Sequence, residues 1–372
     1  MTPMTTFEKA RLQSSERTLP GRYYTDPAIF DQEQREIFAR RWVCIGRAEQ
    51  AHSPGEYFLT QVAGESLIVI RDHRGVLGAF HNLCRHRGTR LCSETAGRFT
   101  ALVRCPYHAW SYRLDGSLAA APNMDQAPDF DLADYPLHRC RLAEWEGFVW
   151  LNLDPQPTPF ESVFAPLIGR FTGWRLPALR LGARVTYDLR ANWKLVFENY
   201  NECCHCPPIH PRLAQLSPSD SGRNDLMEGP FLGGYMGIHP GMALTASGSR
   251  SRPPLGTVAG EDLQRAYYYT LFPNLLFSLH PDYAMVHFLV PLAPDSTRIV
   301  CEWYFDPTQI IQPGFDPTDA VALWDEINRQ DWQVCEWTQQ GTASRAYTPG
   351  PYAHSEGLCA AFDREYLKAL GC

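Results

Sequence analysis

Two hydrophobic periods divide the chain. Between Gly55 and about Asn152 the apolar residues come in short runs, EYFLTQV, SLIVIRD, VLGAFHN, ALVRCP, WSYRL and FVWLNL, with Gly, Pro and Asp between them. Runs of this length bounded by turn formers predict strands, so a small all-β unit is expected here. Ahead of it Ile37, Phe38 and Trp42 keep roughly helical spacing, Asp31 is expected to cap that helix, and WVCIGR then reads as a strand.

The Pro-rich stretch PQPTPFESVFAPL marks passage into a second domain. Beyond it the pattern predicts helices at 159–170, 193–206, 317–340 and 354–369, with strands at 181–190 and across 266–305. This is an α+β arrangement. Residues 213–262, rich in Gly, Ser and Pro, show no clear period and are expected to form a long loop region over a pocket. The expected division is 41–155 for the β unit, and 1–40 together with 156–372 for the second domain.

Composition narrows the function classes. At 44% apolar and 20% charged residues over 372 positions, intrinsic disorder is excluded. With 34 Lys and Arg against 41 Asp and Glu, the net charge of −7 offers no basic field for nucleic acid. No run reaches the roughly 18 apolar residues of a membrane helix. The opening MTPMTTFEKARLQSSERTLP has no apolar signal core, so the expected location is the cytoplasm. Twelve cysteines diluted in a chain of this length, without an export signal, read as thiols or metal ligands rather than disulfides. A P-loop, a GxGxxG turn, HExxH and GxSxG are all missing, so the chain is not expected to bind a nicotinamide itself.

Candidate chemistry gathers at two places. Within the β unit, HNLCRHRGTRLC and VRCPYHAWSY supply Cys84-x-His86 and, after eighteen intervening residues, Cys105-x-x-His108. Each loop offers one thiolate and one imidazole. Four such ligands suit tetrahedral zinc, but zinc fingers take both cysteines from one loop. The interleaved order also suits a [2Fe–2S] Rieske cluster, with two Cys on one iron and two His on the other.

The second place is NWKLVFENYNECCHCPPIHP, in which Glu202, His205 and His210 follow E-x-x-H-x-x-x-x-H. Spacing puts Glu198, Glu202 and His205 on one helical face, and Pro207-Pro208 is expected to break the helix before His210. A third ligand is offered by VALWDEINRQDWQVCEWTQQG. There Asp331 occupies the apolar stripe of Trp324, Ile327, Val334 and Cys335, a costly place for a carboxylate unless a metal meets it. Asp325 and Glu336 fall on the polar face and are expected to be solvated.

These stretches, with the CRHRG and WSY flanks, resemble the Rieske non-haem iron oxygenases, the catalytic subunits of bacterial ring-hydroxylating and demethylating systems. The resemblance runs from about residue 22 to the C-terminus. It implies an all-β Rieske domain followed by a larger, helix-grip-like catalytic domain on an antiparallel sheet. Cys84, His86, Cys105 and His108 would hold the [2Fe–2S] cluster, and His205, His210 and Asp331 a mononuclear Fe(II) that activates O2. Asp331, Glu336, Gln339 and Gly341 match the family's D-x-x-x-x-E-x-x-Q-x-G helix. Cys44 and Cys92 match no ligand position and are assigned to packing.

The resemblance further implies a homotrimer in which Glu202 links a mononuclear-iron histidine to a Rieske histidine of the neighbouring subunit. Electrons would come from NAD(P)H through a flavin/iron–sulfur reductase or a ferredoxin. Glu at the bridging position, with AFHNLCRHRG, NWKLVFENYNECCHC and LFPNLLFSLHPDY, is similar to the group acting on glycine betaine, proline betaine, carnitine and choline. Cys204 departs from the Tyr usual before the first iron histidine. The activity implied is oxidative N-demethylation of a small quaternary ammonium compound, with aromatic hydroxylation or O-demethylation and simple electron carriage as alternatives. Tyr267 to Tyr269, Phe272, Phe277, Tyr283 and Phe288 are candidates for holding a methylated ammonium by their ring faces.

Overall fold

The apolar runs of the β unit pair as antiparallel strands in the computed structural model, which describes residues 6–12 and 14–372. The described chain divides into two units, Gln34–Pro166 and a larger one joining residues up to Glu33 to Leu167–Cys372.

The smaller unit contains β1 (Val43–Arg47), β2 (Glu56–Val62), β3 (Glu65–Arg71), β4 (Leu77–His81), β5 (Ala96–Arg98), β6 (Leu102–Arg104), β7 (Ser111–Arg113), β8 (Leu118–Ala120), β9 (Arg139–Trp145) and β10 (Phe148–Asn152). Seven of them form one sheet in the order β1-β10-β9-β4-β3-β2-β5, and β6-β7-β8 form a second, small sheet. Leu67 to Ile70 are all buried, which is why β3 reads as a continuous apolar run rather than an alternating one. Two-residue turns set the register: Ala63-Gly64 and Glu146-Gly147 all have positive φ, the geometry that matches strand twist in a tight hairpin.

The larger unit is built on β11 (Arg180–Leu189), β12 (Arg223–Leu226), β13 (Phe231–Gly237), β14 (Arg265–Leu271), β15 (Leu275–Leu279), β16 (Ala284–Ala293) and β17 (Ser296–Phe305). They form one antiparallel sheet in the order β11-β17-β16-β15-β14-β13-β12. Helices Trp193–Tyr200, Thr318–Thr342 and Gly357–Leu370 belong to the same unit. Asn192 caps the first by accepting from the Lys194 amide at 3.0 Å. Phe197 stacks on Phe362 at 5.1 Å, and Trp193 meets the same ring edge-on at 6.0 Å, joining two of the helices through aromatic contact. Beneath them lies a fully buried ion pair, Lys194 Nζ to Glu33 Oε1 at 2.5 Å; Glu33 also accepts from Tyr366 (2.7 Å) and Trp193 (2.8 Å).

Several expectations are corrected. Asp31 lies inside the helix Pro27–Glu33; the cap is Asp26, whose Oδ1 accepts from the Ala28 amide at 2.8 Å, and Pro27 takes the first helical position it favours. Residues 213–262 are not one long loop, because β12 and β13 complete the sheet within them. Strand β13 reads FLGGYMG and hides its period in glycines that the backbone requires: a Cβ on Gly233 (φ +144°) would stand 2.1 Å from the Tyr268 carbonyl oxygen. The helix expected over 193–206 ends at Tyr200, where Asn201 turns the backbone out of helical conformation. Pro207 and Pro208 do not break that helix; they sit in the first turn of a new one, Cys206–Ile209.

Candidate active site

The Cys84–His86 loop follows β4, and the Cys105–His108 loop joins β6 to β7. Each is tied by its own backbone: the Cys84 amide donates to Thr89 O at 2.8 Å and the Cys105 amide to Trp110 O at 2.8 Å. The structure brings the four residues together. Both cysteines are buried, and the rings of His86 and His108 lie 4.7 Å apart. His86 is fixed by parallel stacking on Trp110 at 5.0 Å, yet its Nδ1 is buried without a hydrogen-bond partner among the described residues. A buried imidazole nitrogen with no hydrogen bond is what a ligand keeps ready for a metal. Burial and the neighbouring His108 also lower the His86 pKa, favouring the neutral form that can ligate.

Tyr112 completes this end. Its hydroxyl accepts from the Arg85 amide at 2.9 Å and lies 3.3 Å from Cys84 Sγ, to which it can donate when that sulfur is a thiolate. Burial raises the Cys84 thiol above its ordinary pKa, against that hydrogen bond. Cys44 and Cys92 are buried, and Cys92 packs in the hydrophobic cluster that also holds Cys84 and Cys105.

In the larger unit, His205, His210 and Asp331 each place one donor atom within 4.8 Å of the others. His205 and His210 both stand where a new helical turn begins, and Asp331 comes from the helix Thr318–Thr342. Asp331 Oδ1 is 2.8 Å from His210 Nε2 and 3.3 Å from His205 Nε2. The Nδ1 atoms are engaged on the far side, His210 with Gln330 Oε1 at 2.6 Å and His205 with Glu202 Oε1. Both rings therefore turn Nε2 inward, a 2-His-1-carboxylate arrangement with its outer partners in place. Burial opposes protonation of His205, but hydrogen bonds to Asp331 and Glu202 push it up to about 10. Burial raises Asp331, and the two histidines outweigh it, leaving the carboxyl below its usual range. The donor set suits a divalent iron, which would replace that shared proton.

Other sequence readings change. Glu202 is not on the helix; it lies in the turn after Tyr200 and accepts from the Cys204 and His205 amides. Asp325 is not merely solvated, since it accepts from the Tyr187 hydroxyl at 2.8 Å, and Glu336 accepts from the Arg190 amide at 3.0 Å. Cys203 and Cys206 form a disulfide rather than remaining thiols; their three-residue spacing across the turn lets the sulfurs meet.

A cavity of about 400 Å³ opens onto the triad, also lined by Tyr200, Tyr235, Tyr268 and Trp324. Of the aromatic candidates singled out along 266–290, Tyr268 alone lines it; strand alternation sends its neighbours Tyr267 and Tyr269 into the core. Tyr200 and Trp324 carry helical-face signals that could have found them, whereas Tyr235 is masked by the glycines of β13. Tyr268 faces Tyr200 at 6.0 Å and 76°, and Trp324 at 6.1 Å and 62°. Cys204, exposed, presents Sγ 3.2 Å from Ser355 Oγ, and both line the cavity.

A cluster-type pair of Cys-His loops and an iron-type facial triad define a Rieske oxygenase. Residues 41–136 match the Rieske [2Fe-2S] domain, and residues 176–371 match the ring hydroxylating alpha subunit catalytic domain. The chain belongs to this family of Rieske-type oxygenases, whose members carry a [2Fe–2S] cluster and a mononuclear iron and receive electrons from a reductase. It is 30% identical to the glycine betaine monooxygenase oxygenase subunit of Chromohalobacter salexigens, over 94% of this chain and 85% of that one. It is 31% identical to the carnitine monooxygenase oxygenase subunit of Escherichia coli (strain K12), over 89% and 85%. A quaternary ammonium Rieske monooxygenase solved with L-carnitine superposes with a TM-score of 0.76 at 27% identity, over 95% of each chain. Naphthalene 1,2-dioxygenase from Rhodococcus sp., at 20% identity and a TM-score of 0.75 over 95% and 94%, shares the fold. Among the described residues no helix is long and apolar enough to cross a membrane.

Proposed function

We propose that this chain is the terminal oxygenase component of a system that oxidises an N-methyl group of a small quaternary ammonium compound and releases formaldehyde. The observation that carries this reading is the cavity that joins the triad to the ring faces of Tyr200, Tyr268 and Trp324. A methylated ammonium donates no hydrogen bond, and each aromatic face is worth on the order of 0.5–2 kcal/mol to it. The Trp324 indole N–H donates to the Tyr283 hydroxyl at 2.7 Å, and the Tyr200 hydroxyl meets Ser278 Oγ at 2.6 Å, so the rings are held before substrate arrives. Relatives named for glycine betaine and carnitine support the same substrate class.

In this reading Cys84, His86, Cys105 and His108 hold the cluster, and His205, His210 and Asp331 hold the iron, which supplies O2 activation when bound. The chain's own residues orient and exclude. Gln330 fixes His210, Glu202 fixes His205, and Asn199 Nδ2 donates to Asp331 Oδ1 at 3.2 Å. The aromatic walls exclude water from the methyl group and leave its C–H toward the triad. The N-methyl ammonium substrate, O2, NADH and one proton give the N-hydroxymethyl ammonium, water and NAD⁺. That hydroxymethyl compound then breaks its C–N bond, losing formaldehyde and a proton and leaving the tertiary amine. We further propose a homotrimer in which Glu202 reaches a Rieske histidine of the neighbouring subunit, with a flavin/iron–sulfur reductase or ferredoxin as donor.

The test is turnover by the purified protein with a surrogate reductase and NADH, offering betaines, carnitine, choline and simple aromatic acids. Oxidation of methylammonium compounds is expected. Turnover of the aromatic acids alone would replace this reading with ring hydroxylation.

A further inference from the structure

The cavity that receives the triad also receives Lys9, from a segment far away in sequence. Glu8 makes an isolated antiparallel bridge to Asn224 of β12. Glu8 and Asn224 exchange backbone hydrogen bonds, 2.7 Å from the Glu8 amide and 2.5 Å from the Asn224 amide, and the Ala10 amide donates to Asn224 Oδ1 at 3.1 Å. Phe7 sets its ring edge-on against Tyr235 at 5.0 Å. An extended backbone alternates its side chains, so pinning residues 8 and 10 fixes the direction of Lys9.

Charge distinguishes this residue. The carboxylates among the described lining residues are Glu202, Asp220 and Asp331, and apart from the two histidines Lys9 is their one cation. It forms no ion pair within 4 Å among the described residues. Lys9 is exposed where it lines the cavity, and an ammonium with three donors and no ion pair among the described residues can take an anionic oxygen. The triad stands on the helical wall, whereas Lys9 stands on the wall made by the edge of β12. Lys9 thus adds a positive charge to the cavity on the side of the β12 edge, which it shares with Asp220 and Tyr235.

We infer that Lys9 is a specificity-determining residue that binds the carboxylate of a zwitterionic substrate, selecting betaines over quaternary ammonium alcohols. This inference rests on the quaternary ammonium reading above and adds to it the second charged end of the substrate. The contact acts equally on bound substrate and transition state, because the carboxylate takes no part in the chemistry.

The test compares wild type, Lys9→Gln and Lys9→Arg on carboxylate-terminated betaines and on choline, by steady-state kinetics with a surrogate reductase and by calorimetric binding to the iron-loaded protein. Lys9→Gln is expected to raise KM and Kd for the carboxylates about tenfold with kcat unchanged, the loss of one charge-assisted hydrogen bond. Choline should be unaffected, and Lys9→Arg should recover most of the binding. Unchanged KM and Kd in Lys9→Gln, or an equal rise for choline, would overturn the assignment. If wild type oxidises choline but no carboxylate-terminated compound, the ammonium reading stands and the role of Lys9 falls. If it oxidises neither, the ammonium reading falls and this inference falls with it.

Discussion

His205 is held from both sides: Glu202 Oε1 engages its Nδ1, while Asp331 Oδ1 stands 3.3 Å from its Nε2. The ring cannot rotate without losing one carboxylate or the other. Glu202 thus fixes the imidazole whose Nε2 faces Asp331, while its second oxygen accepts from the turn it begins. Replacing Glu202 by Gln should leave both metals bound but slow reoxidation of the reduced cluster by O2 in the presence of substrate, by roughly 10–100-fold. Rapid single-turnover absorption follows the cluster directly; wild-type kinetics would remove Glu202 from the electron path.

The same geometry sets a pH dependence for iron uptake. The metal-free His205 titrates at about 10, above its ordinary 6.5, and must lose its proton to ligate. Between pH 7 and that value, apparent iron affinity should rise by up to about tenfold per pH unit, with a proton released on binding. The stability that protonated His205 gives the metal-free fold runs the other way: it is fully present below pH 6.5 and lost as pH rises through about 10. Anaerobic titration calorimetry in buffers of different ionisation enthalpy counts the released proton.

With Cys84 as a cluster thiolate, which has no proton to give, the Tyr112 hydroxyl 3.3 Å away is the donor to Sγ. Hydrogen bonds to cluster sulfurs raise the reduction potential. Tyr112→Phe should lower the potential of the cluster, on the order of 50 mV for a bond worth about 1 kcal/mol, while keeping the Rieske EPR line shape. His108→Ala should abolish that signal. Redox titration followed by EPR measures both outcomes.

The Glu33–Lys194 pair is fully buried, and burial lowers the Lys194 pKa against the attraction of Glu33. Glu33→Gln leaves a buried charge without its counter-ion and should cost about 3–5 kcal/mol. Lys194→Met in that background should recover part of the loss. Urea unfolding reports the order of the three proteins.

The candidate ligands were legible in the sequence because metal binding demands rare residue types at fixed spacings. Cys84-x-His86 and Cys105-x-x-His108 announce themselves, and Asp331 stands out by interrupting an apolar stripe. Local geometry was less legible. Asn201 ends the helix that Glu202 and His205 would otherwise continue; Asn favours helix ends, but Asn199 two positions earlier stays helical, so propensity alone does not choose between them. Strand β13 was missed because its glycines answer to the Tyr268 backbone across the sheet, a tertiary demand without local trace. Lys9 carries no signal of its own; its place depends on Asn224, over two hundred residues away.

The most direct test of the central claim is the ratio of formaldehyde formed to O2 consumed, with the best quaternary ammonium substrate and a surrogate reductase. N-methyl oxidation gives one formaldehyde for each O2, with the demethylated amine in equal amount. A stable hydroxylated product, formed at the expense of the same O2 without formaldehyde, would contradict it.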